Sequence, residues 1–460
     1  MAATDAARRA ATWSLRAFLV VVEQATYSGT HFLVGILLVR LLPPATYGAF
    51  GMAFALFLLV AMAYNCLLPE AAVVFGSGRY RETFADYLGL LLRLHLVLVP
   101  AIVLLLAGMA AIAAATGEEE LATSLLAFAA ASPLVLLYWL VRRLCYIPLR
   151  LGLGLVASTF YAVLLLGGLF LAGRVVELAV PGVLALMAAA AGGASALVLV
   201  GLRPRLSPSE LAPSWRAVAS EHVRYGSWLL LASAPQGVQN QAPLLLAGWL
   251  LGLDAAGVLR AYLNFILPVP LLASAFVGLM LTVAARRRHT RGVAGVRQVA
   301  RFSTWIAVGA SGAYALAVVA ARDPLASLVL GPVYAPHADL LLILMLWPVL
   351  FALATGASVA IRAFEQPQVL LLPSLAGAVT TVGLGVSLIP SLGVVGAAVA
   401  HVAGQGVTSL GLLRAARDVQ ADAARAGTVR GPVASRSLTS NGGTDRASPD
   451  PIAGTHTGYP

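Results

Sequence analysis

The sequence predicts an all-α polytopic membrane protein with about twelve transmembrane helices in two lobes. Only 11% of the 460 residues are charged and 60% are apolar, whereas ordinary globular domains are about 25% charged. Apolar runs of about 20 residues, long enough to cross the hydrocarbon core, recur along the whole chain. Because lipid offers the backbone no hydrogen bonds, such runs form helices. The sequence lacks the alternation that is typical of a membrane β-barrel.

A helix–break–helix unit occurs twice and predicts how the lobes are related. The first copy is His31–Leu56, where Pro43 and Pro44 interrupt an apolar helix. The second copy is Leu244–Phe265, and the two copies align when Gly48 is placed against Gly257. Each copy opens a set of six predicted spans. We therefore expect two six-helix lobes, related by a parallel pseudo-two-fold axis along the membrane normal, with a central cavity between them.

The predicted domains follow from the spacing of the apolar runs. They are an N-terminal six-helix lobe (1–202), a cytoplasmic linker rich in Pro and Ser (203–221), a C-terminal six-helix lobe (222–414) and a cytoplasmic tail (415–460). The N-terminal spans are predicted at about 16–42, 47–75, 87–115, 121–146, 151–172 and 178–202. The C-terminal spans are predicted at about 223–251, 255–285, 302–321, 340–363, 369–389 and 394–413. We expect the tail to be helical to about Ala426 and disordered beyond it, because it has no apolar period.

The positive charge indicates topology rather than nucleic-acid binding. The net charge of +11 is carried by arginines, and most of them lie in alternate loops. Basic loops stay in the cytoplasm, so both termini are predicted on the cytoplasmic side of the membrane. We call the ends of the helices on this side the arginine-rich end; its arginines are 79, 81, 142, 143, 150, 203, 205, 216, 286–288, 291, 297 and 362.

Four segments of the chain resemble, in order and spacing, a known family. They are Leu38–Phe50, Leu251–Leu272, Leu328–Leu344 and Gly393–Gln405. They are similar to the polysaccharide-biosynthesis branch of the multidrug/oligosaccharidyl-lipid/polysaccharide (MOP) exporter superfamily, which contains the Wzx-type O-antigen flippases. The lipid II flippase is a more distant relative of this branch.

The resemblance implies a transporter of the MOP/MATE-like fold. Its implied cargo is a polyprenyl-pyrophosphate-linked oligosaccharide, such as a lipopolysaccharide precursor, which would cross the membrane by alternating access. The implied partners are this lipid-linked oligosaccharide, membrane lipids, glycosyltransferases and a polysaccharide polymerase. The sequence has no metal-ligand cluster, nucleophile elbow or P-loop, so we expect neither a cofactor nor an enzyme.

Candidate charged site residues lie in the first span and in the two repeated units. Arg40 and Arg260 are expected to bind an anionic head group, because a guanidinium donates paired hydrogen bonds and stays charged; the alternative is that they snorkel to the interface. Glu23 and Gln24 lie within the first span and Asn65 within the second. A carboxylate within a span costs about 2.5–3.5 kcal/mol on insertion scales, so we expect Glu23 to face a cavity or a partner.

Uncharged candidate residues lie in spans seven and eight. Gln236, Gln239 and Asn240 are spaced to share one helical face, and Asn264 follows in the next span. Such a face suits sugar hydroxyls, although amides also form hydrogen bonds between membrane helices. Both interpretations remain open from the sequence.

The sequence supports other functional classes less well. An ion-coupled small-molecule or drug exporter of the same superfamily is the main alternative. Paired acidic residues deep in one lobe would favour it, whereas Glu23 stands nearly alone. A membrane glycosyltransferase, ligase or polymerase would need sizeable outer loops, and the predicted outer loops are short. A major-facilitator sugar transporter would carry an acidic–basic loop after its second span, which this sequence does not match.

Overall fold

The protein is helical throughout its described part. The computed structural model describes residues 2–174, 179–206 and 214–429, and every regular element in these ranges is a helix. The first half contains α1 (Ala2–Leu41), α2 (Pro44–Asn65), α3 (Ala71–Ser77), α4 (Phe84–Ala115), α5 (Glu119–Leu144), α6 (Leu151–Ala172) and α7 (Val180–Leu202). A π-helical turn, Cys66–Glu70, joins α2 to α3 and accommodates Pro69 within an otherwise continuous helix.

The second half contains longer and more interrupted helices. They are α8 (Trp215–Leu251), α9 (Leu253–Leu263), α10 (Pro268–Ala320), α11 (Arg322–Pro324), α12 (Leu340–Leu344), α13 (Leu346–Leu353), α14 (Thr355–Ala363), α15 (Leu371–Leu392) and α16 (Val394–Val429). A π-helical segment, Leu325–Leu330, follows α11. Short 3₁₀ turns lie at Ala335–His337 and Pro367–Leu370.

The predicted polytopic all-α fold is confirmed. Within the described ranges, nine helical segments are long and apolar enough to cross a membrane, and they coincide with predicted spans two to six and nine to twelve. Predicted spans one, seven and eight fall on α1, α8 and α9 with the start of α10. These segments are helical but do not meet the same criterion of length and composition. The number twelve therefore stays a prediction.

Some predicted boundaries need correction. The first helix begins at Ala2 rather than near Arg16. Helix α8 begins at Trp215, so the last part of the predicted linker is helical. Helix α16 ends at Val429, close to the helix end expected near Ala426, and its Ala-rich sequence has a high helix propensity. The rest of the predicted disordered tail, residues 430–460, lies outside the described residues, as do residues 207–213 of the linker.

The two repeated units meet each other at the arginine-poor end. A Cβ on Gly48 would overlap the backbone carbonyl of Leu253, and a Cβ on Gly257 would overlap the carbonyl of Pro44. The contact is reciprocal, since each glycine lies against the residue four positions before the other. Equivalent positions contact each other in this way when a two-fold axis passes between them. The aligned glycines of the sequence repeat thus lie face to face, with α2 and α9 packed backbone to backbone.

Helix α8 packs against α2 over most of its length. At three glycines of α8 the neighbouring residue lies so close that an added Cβ would overlap it. Gly226 faces Leu67 of the π-helical turn, and Gly237 and Gly248 face Met62 and Met52 of α2. At the arginine-rich end, the His222 imidazole also lies 2.8 Å (Nδ1) from the Leu67 carbonyl and 2.7 Å (Nε2) from the Tyr87 hydroxyl. The first helix of the second half is therefore attached to the first half.

Candidate functional site

Glu23 lies in a closed polar cluster inside the first half. Its side chain is only 3% exposed, and three side chains donate hydrogen bonds to its carboxylate. Arg142 Nη1 and Ser158 Oγ lie 2.8 and 2.7 Å from Oε1, and the Tyr146 hydroxyl lies 2.5 Å from Oε2. These donors come from α5, the turn after it, and α6. Of the two alternatives expected for Glu23, a cavity or a partner, the described residues supply partners, and the carboxylate ties α1 to both helices.

Arg142 is the member of this cluster that the sequence analysis did not select as a candidate. It was assigned to the basic loop after α5, but its side chain is only 14% exposed. Besides Glu23, its Nη1 reaches Gln24 Oε1 at 3.4 Å, and its guanidinium carbon lies 4.0 Å from the centroid of the Tyr27 ring. A signal was present in the sequence, because the predicted fourth span continued to Tyr146 and so placed Arg142 one turn inside it. We call Glu23, Gln24, Arg142, Tyr146 and Ser158 the Glu23–Arg142 cluster.

Aromatic rings pack beside this cluster. Tyr138 and Tyr161 stack with ring centroids 5.0 Å apart, and the Tyr138 hydroxyl lies 3.0 Å from Ser158 Oγ. The rings of Tyr27 and His31 meet edge to face at 4.6 Å. Ring faces next to a guanidinium favour its charge. The aromatic side chains therefore support Arg142 as well as separating it from the apolar core.

Arg260 occupies a different setting, between the two halves. Its stem packs against Gly51 of α2, where a Cβ would lie 3.0 Å from the Arg260 Cγ. Its guanidinium carbon lies 5.2 Å from the centroid of the Phe54 ring. The Arg260 Nε is buried and has no hydrogen-bond partner among the described residues. This arginine therefore has an aromatic neighbour and an unused donor.

Asn264 lies one turn further along and joins three helices. Its side chain is 1% exposed, and its Nδ2 donates to the Tyr47 hydroxyl at 3.0 Å. It also packs against Gly35 of α1, where an added Cβ would lie 3.2 Å from the Asn264 Oδ1. It thus connects α9 with α1 and α2. The structure brings Arg260 and Asn264 together at the junction of the halves, and we call Tyr47, Phe54, Arg260 and Asn264 the junction site.

The polar face predicted on α8 divides into two environments. Gln236 Nε2 donates to Asn240 Oδ1 at 3.1 Å, and Asn240 is exposed. Gln239 is instead 0% exposed; it donates to Gln405 Oε1 at 3.4 Å and accepts from Thr408 Oγ1 at 2.9 Å. In this structure Gln239 fastens α8 to α16, whereas Gln236 and Asn240 leave polar groups accessible.

The two remaining candidates lie apart from these groups. Arg40 is exposed, and its Nε donates to the Val329 carbonyl at 2.9 Å. It therefore connects the end of α1 to the π-helical segment of the second half. Asn65 is partly buried where α2 passes into the π-helical turn. The candidates thus form three separate groups: Glu23 with Gln24, Arg260 with Asn264, and Gln236 with Asn240.

The sequence of the chain decides its family. Residues 17–279 match the profile of the family described as Polysaccharide biosynthesis protein. The chain belongs to this family. The match covers more than half of the chain, including the Glu23–Arg142 cluster and the junction site, and it confirms the family resemblance. Two of the four segments, Leu38–Phe50 and Leu251–Leu272, lie within it. No curated protein sequence matches the chain.

Solved structures share the fold of this family member. One is an inward-facing multidrug resistance MATE family transporter of the MOP superfamily (TM-score 0.71, 18% identity, 86% of this chain and 95% of the other). Another is the lipid II flippase MurJ in an inward closed conformation (TM-score 0.66, 10% identity, 90% and 92%). A third is a MOP superfamily transporter from Pyrococcus furiosus, described as having a binding pocket of reverse polarity (TM-score 0.63, 16% identity, 88% and 95%). The MOP/MATE-like fold class is thereby established.

Proposed function

We propose that this family member is a flippase that moves a polyprenyl-pyrophosphate-linked oligosaccharide across the bacterial inner membrane by alternating access. The observation that carries the proposal is Arg260, a guanidinium at the junction of the halves that lies beside an aromatic ring, has an unpaired Nε and forms no ion pair with a carboxylate in the described part of the chain. A charged side chain within a membrane protein is costly, so it faces a partner or a water-filled cavity. A pyrophosphate that passes between the halves would supply the missing acceptor.

The chemistry of the junction site suits a pyrophosphate head group. A guanidinium binds phosphate oxygens through paired hydrogen bonds and stays charged at any physiological pH. The Tyr47 hydroxyl and the Asn264 amide, 3.0 Å apart, lie beside it and offer neutral hydrogen bonds. Gln236 and Asn240 on α8 present accessible amides for the sugar hydroxyls. Glycan and pyrophosphate would thus contact the same half of the protein.

The Gly48–Gly257 contact supports one state of an alternating-access cycle. It closes the arginine-poor end with two backbones in direct contact. We propose that the head group enters at the arginine-rich end in this state, and that α2 and α9 separate at the glycines when the protein opens to the other side. A central cavity between the halves and cytoplasmic termini are part of the same proposal.

A drug or small-molecule exporter coupled to an ion is the second candidate, and Glu23 is the observation that favours it. A buried carboxylate is the group expected to carry a coupling proton or cation. Here, however, Arg142 matches its charge and both carboxylate oxygens accept hydrogen bonds. Coupling through Glu23 would first require it to leave Arg142. The flippase proposal needs no such step.

Export of the lipid-linked glycan tests the proposal. Deletion of the gene should cause a cytoplasm-facing lipid-linked glycan to accumulate, and an Arg260→Gln variant should reproduce most of that accumulation. Arg174→Gln is the matched control, because Arg174 also lies over a phenylalanine ring, Phe170 at 4.3 Å, but is exposed on the outside of the first half. If Arg260→Gln exported the glycan at the wild-type rate, with equal protein in the membrane, the junction site would not be the binding site of the head group. A deletion strain that gained only drug sensitivity would favour the exporter.

A further inference from the structure

Helix α10 forms a hairpin with a cavity between its arms. Gly292 has φ 57° and ψ −143°, which only glycine adopts without strain, and it separates arms at residues 268–291 and 293–320. The arms are antiparallel, because Arg287 Nη1 donates to Gln298 Oε1 at 2.9 Å while Tyr314 donates to the carbonyl of Phe265 at 2.8 Å. A cavity of about 350 Å³ lies between them, lined by Met280, Val283, Arg287, Gln298, Val299 and Phe302.

All the charged side chains of the hairpin are positive. Its sequence contains six arginines, at 286, 287, 288, 291, 297 and 301, and no acidic residue from 268 to 320. Two of these arginines have contacts with other helices: Arg288 donates to Glu365 and to the carbonyl of Ala363, and Arg297 donates to Gln420. Arg287 differs from both because it lines the cavity, where its partner Gln298 is neutral. The cavity therefore has a cation at one end that no carboxylate neutralises across the hairpin.

The other end of the cavity is apolar and opens beside exposed apolar side chains. Met280, Val283 and Val299 form its walls. Phe302, which also lines the cavity, is 55% exposed, and Leu279 and Trp305 on the same two arms are 60% and 72% exposed. A tryptophan near a basic stretch is typical of the interface between hydrocarbon and head groups. A ligand that fits has an anionic head and an acyl chain that emerges between these side chains.

We propose that the α10 cavity binds an anionic phospholipid of the cytoplasmic leaflet, with its phosphate on Arg287 and an acyl chain along Val283, Val299 and Phe302. Basic pockets between membrane helices on the cytoplasmic side recognise anionic head groups by charge. The donors of Arg287 that do not face Gln298 are available to the phosphate. The occupant is a leaflet lipid rather than the transported cargo, because all six lining residues belong to α10 and none to the first half. The site is therefore independent of the proposed route between the halves.

Native mass spectrometry on the purified full-length protein tests the site. Palmitoyl-oleoyl phosphatidylglycerol is titrated in parallel with the phosphatidylcholine of the same chains, and the wild type should retain the anionic lipid preferentially. Arg287→Gln should weaken its retention about fivefold, the effect of one basic contact. Arg291→Gln is the matched control, since it removes the same charge from an exposed position outside the cavity and should change retention less than twofold.

A second variant tests the apolar part of the cavity. Val283→Phe keeps every charge but fills the space for the chain, so it should also reduce retention of phosphatidylglycerol, with a monodisperse profile on size exclusion showing that the protein is folded. Equal retention of both lipids, or equal losses in Arg287→Gln and Arg291→Gln, would overturn the proposal. Displacement of the lipid by glycerol 1-phosphate alone would reduce the cavity to a simple anion site, and preferential binding of undecaprenyl diphosphate would assign it to the cargo. Because phospholipid binding is measured on the isolated protein, loss of phosphatidylglycerol selectivity would overturn this site without bearing on the proposed transport function, which is tested separately by glycan export.

Discussion

Two arginines lie against aromatic rings inside the helical bundle, and they differ in whether a carboxylate neutralises their charge. Arg142 lies over Tyr27 and donates to the carboxylate of Glu23 at 2.8 Å. Arg260 lies over Phe54 and forms no ion pair with a carboxylate among the described residues, while the Nε of each arginine lacks a hydrogen-bond partner there. The first charge is neutralised within one half of the chain. The second is left at the junction of the halves.

Under the proposed function, this difference separates a structural charge from one that is available to a ligand. An ion pair with every oxygen hydrogen-bonded fixes the positions of the helices that supply it, and removing one partner leaves a buried charge uncompensated. A guanidinium without an internal counter-charge instead gains most when an anion binds to it. The comparison therefore predicts that damage at Glu23 shows first in stability, whereas damage near Arg260 shows first in transport.

The largest expected effect is on the Glu23–Arg142 pair. Glu23→Gln leaves the Arg142 charge buried without its counter-charge and should lower the free energy of unfolding by about 3–5 kcal/mol. Thermal unfolding of the protein in detergent measures this. The double variant Glu23→Gln/Arg142→Met removes both charges and should recover part of the loss. A single variant as stable as the wild type would mean that the pair does not hold α1 to α5.

A carboxylate placed beside Arg260 should give it an internal counter-charge, as Glu23 does for Arg142. Phe54→Glu would give Arg260 an internal partner and compete with the pyrophosphate, so export of the lipid-linked glycan should fall about tenfold, the equivalent of about 1.4 kcal/mol of lost head-group binding. Phe54→Gln has the same length without the charge and serves as the control. Equal losses in both variants would trace the effect to the lost aromatic ring.

The smallest expected effect distinguishes two neighbouring amides on α8. Gln239→Ala removes the hydrogen bonds to Gln405 and Thr408 and should cost about 1 kcal/mol of stability, the usual scale for bonds between membrane helices. Asn240→Ala, one position away and exposed, should leave stability unchanged while weakening export. Thermal unfolding and export are measured on both variants. Reversed results would show that Gln239 faces the cargo in another state.

Composition was enough to predict most of the membrane helices, because apolar length is a direct physical requirement of the bilayer. The paired glycines were also visible, as an alignment of two repeats, before the structure placed Gly48 and Gly257 in contact. Helix rotation was harder to predict. Spacing put Gln236, Gln239 and Asn240 on one face, but only packing against α16 decides that Gln239 turns inward.

Contacts between residues that are distant in the sequence were the other feature that sequence analysis could not predict. A carboxylate at the depth of Glu23 was expected to have a partner, yet the partner lies more than one hundred positions away on α5. Arg142 was assigned to topology because it stands next to Arg143 at the end of a span. The structure shows that adjacent arginines differ: Arg142 is buried with Glu23, while Arg143 is 41% exposed and pairs with Glu70.

The reciprocal glycine contact has a consequence for the energetics of the cell. A barrier made of side chains leaves gaps when rotamers change, whereas two main chains in direct contact leave no space for water at that point. We therefore expect the closed end to resist proton and ion leakage while a bulky glycolipid occupies the other side. A methyl group at Gly48 or Gly257 would wedge this contact open, and the first sign would be a loss of membrane potential.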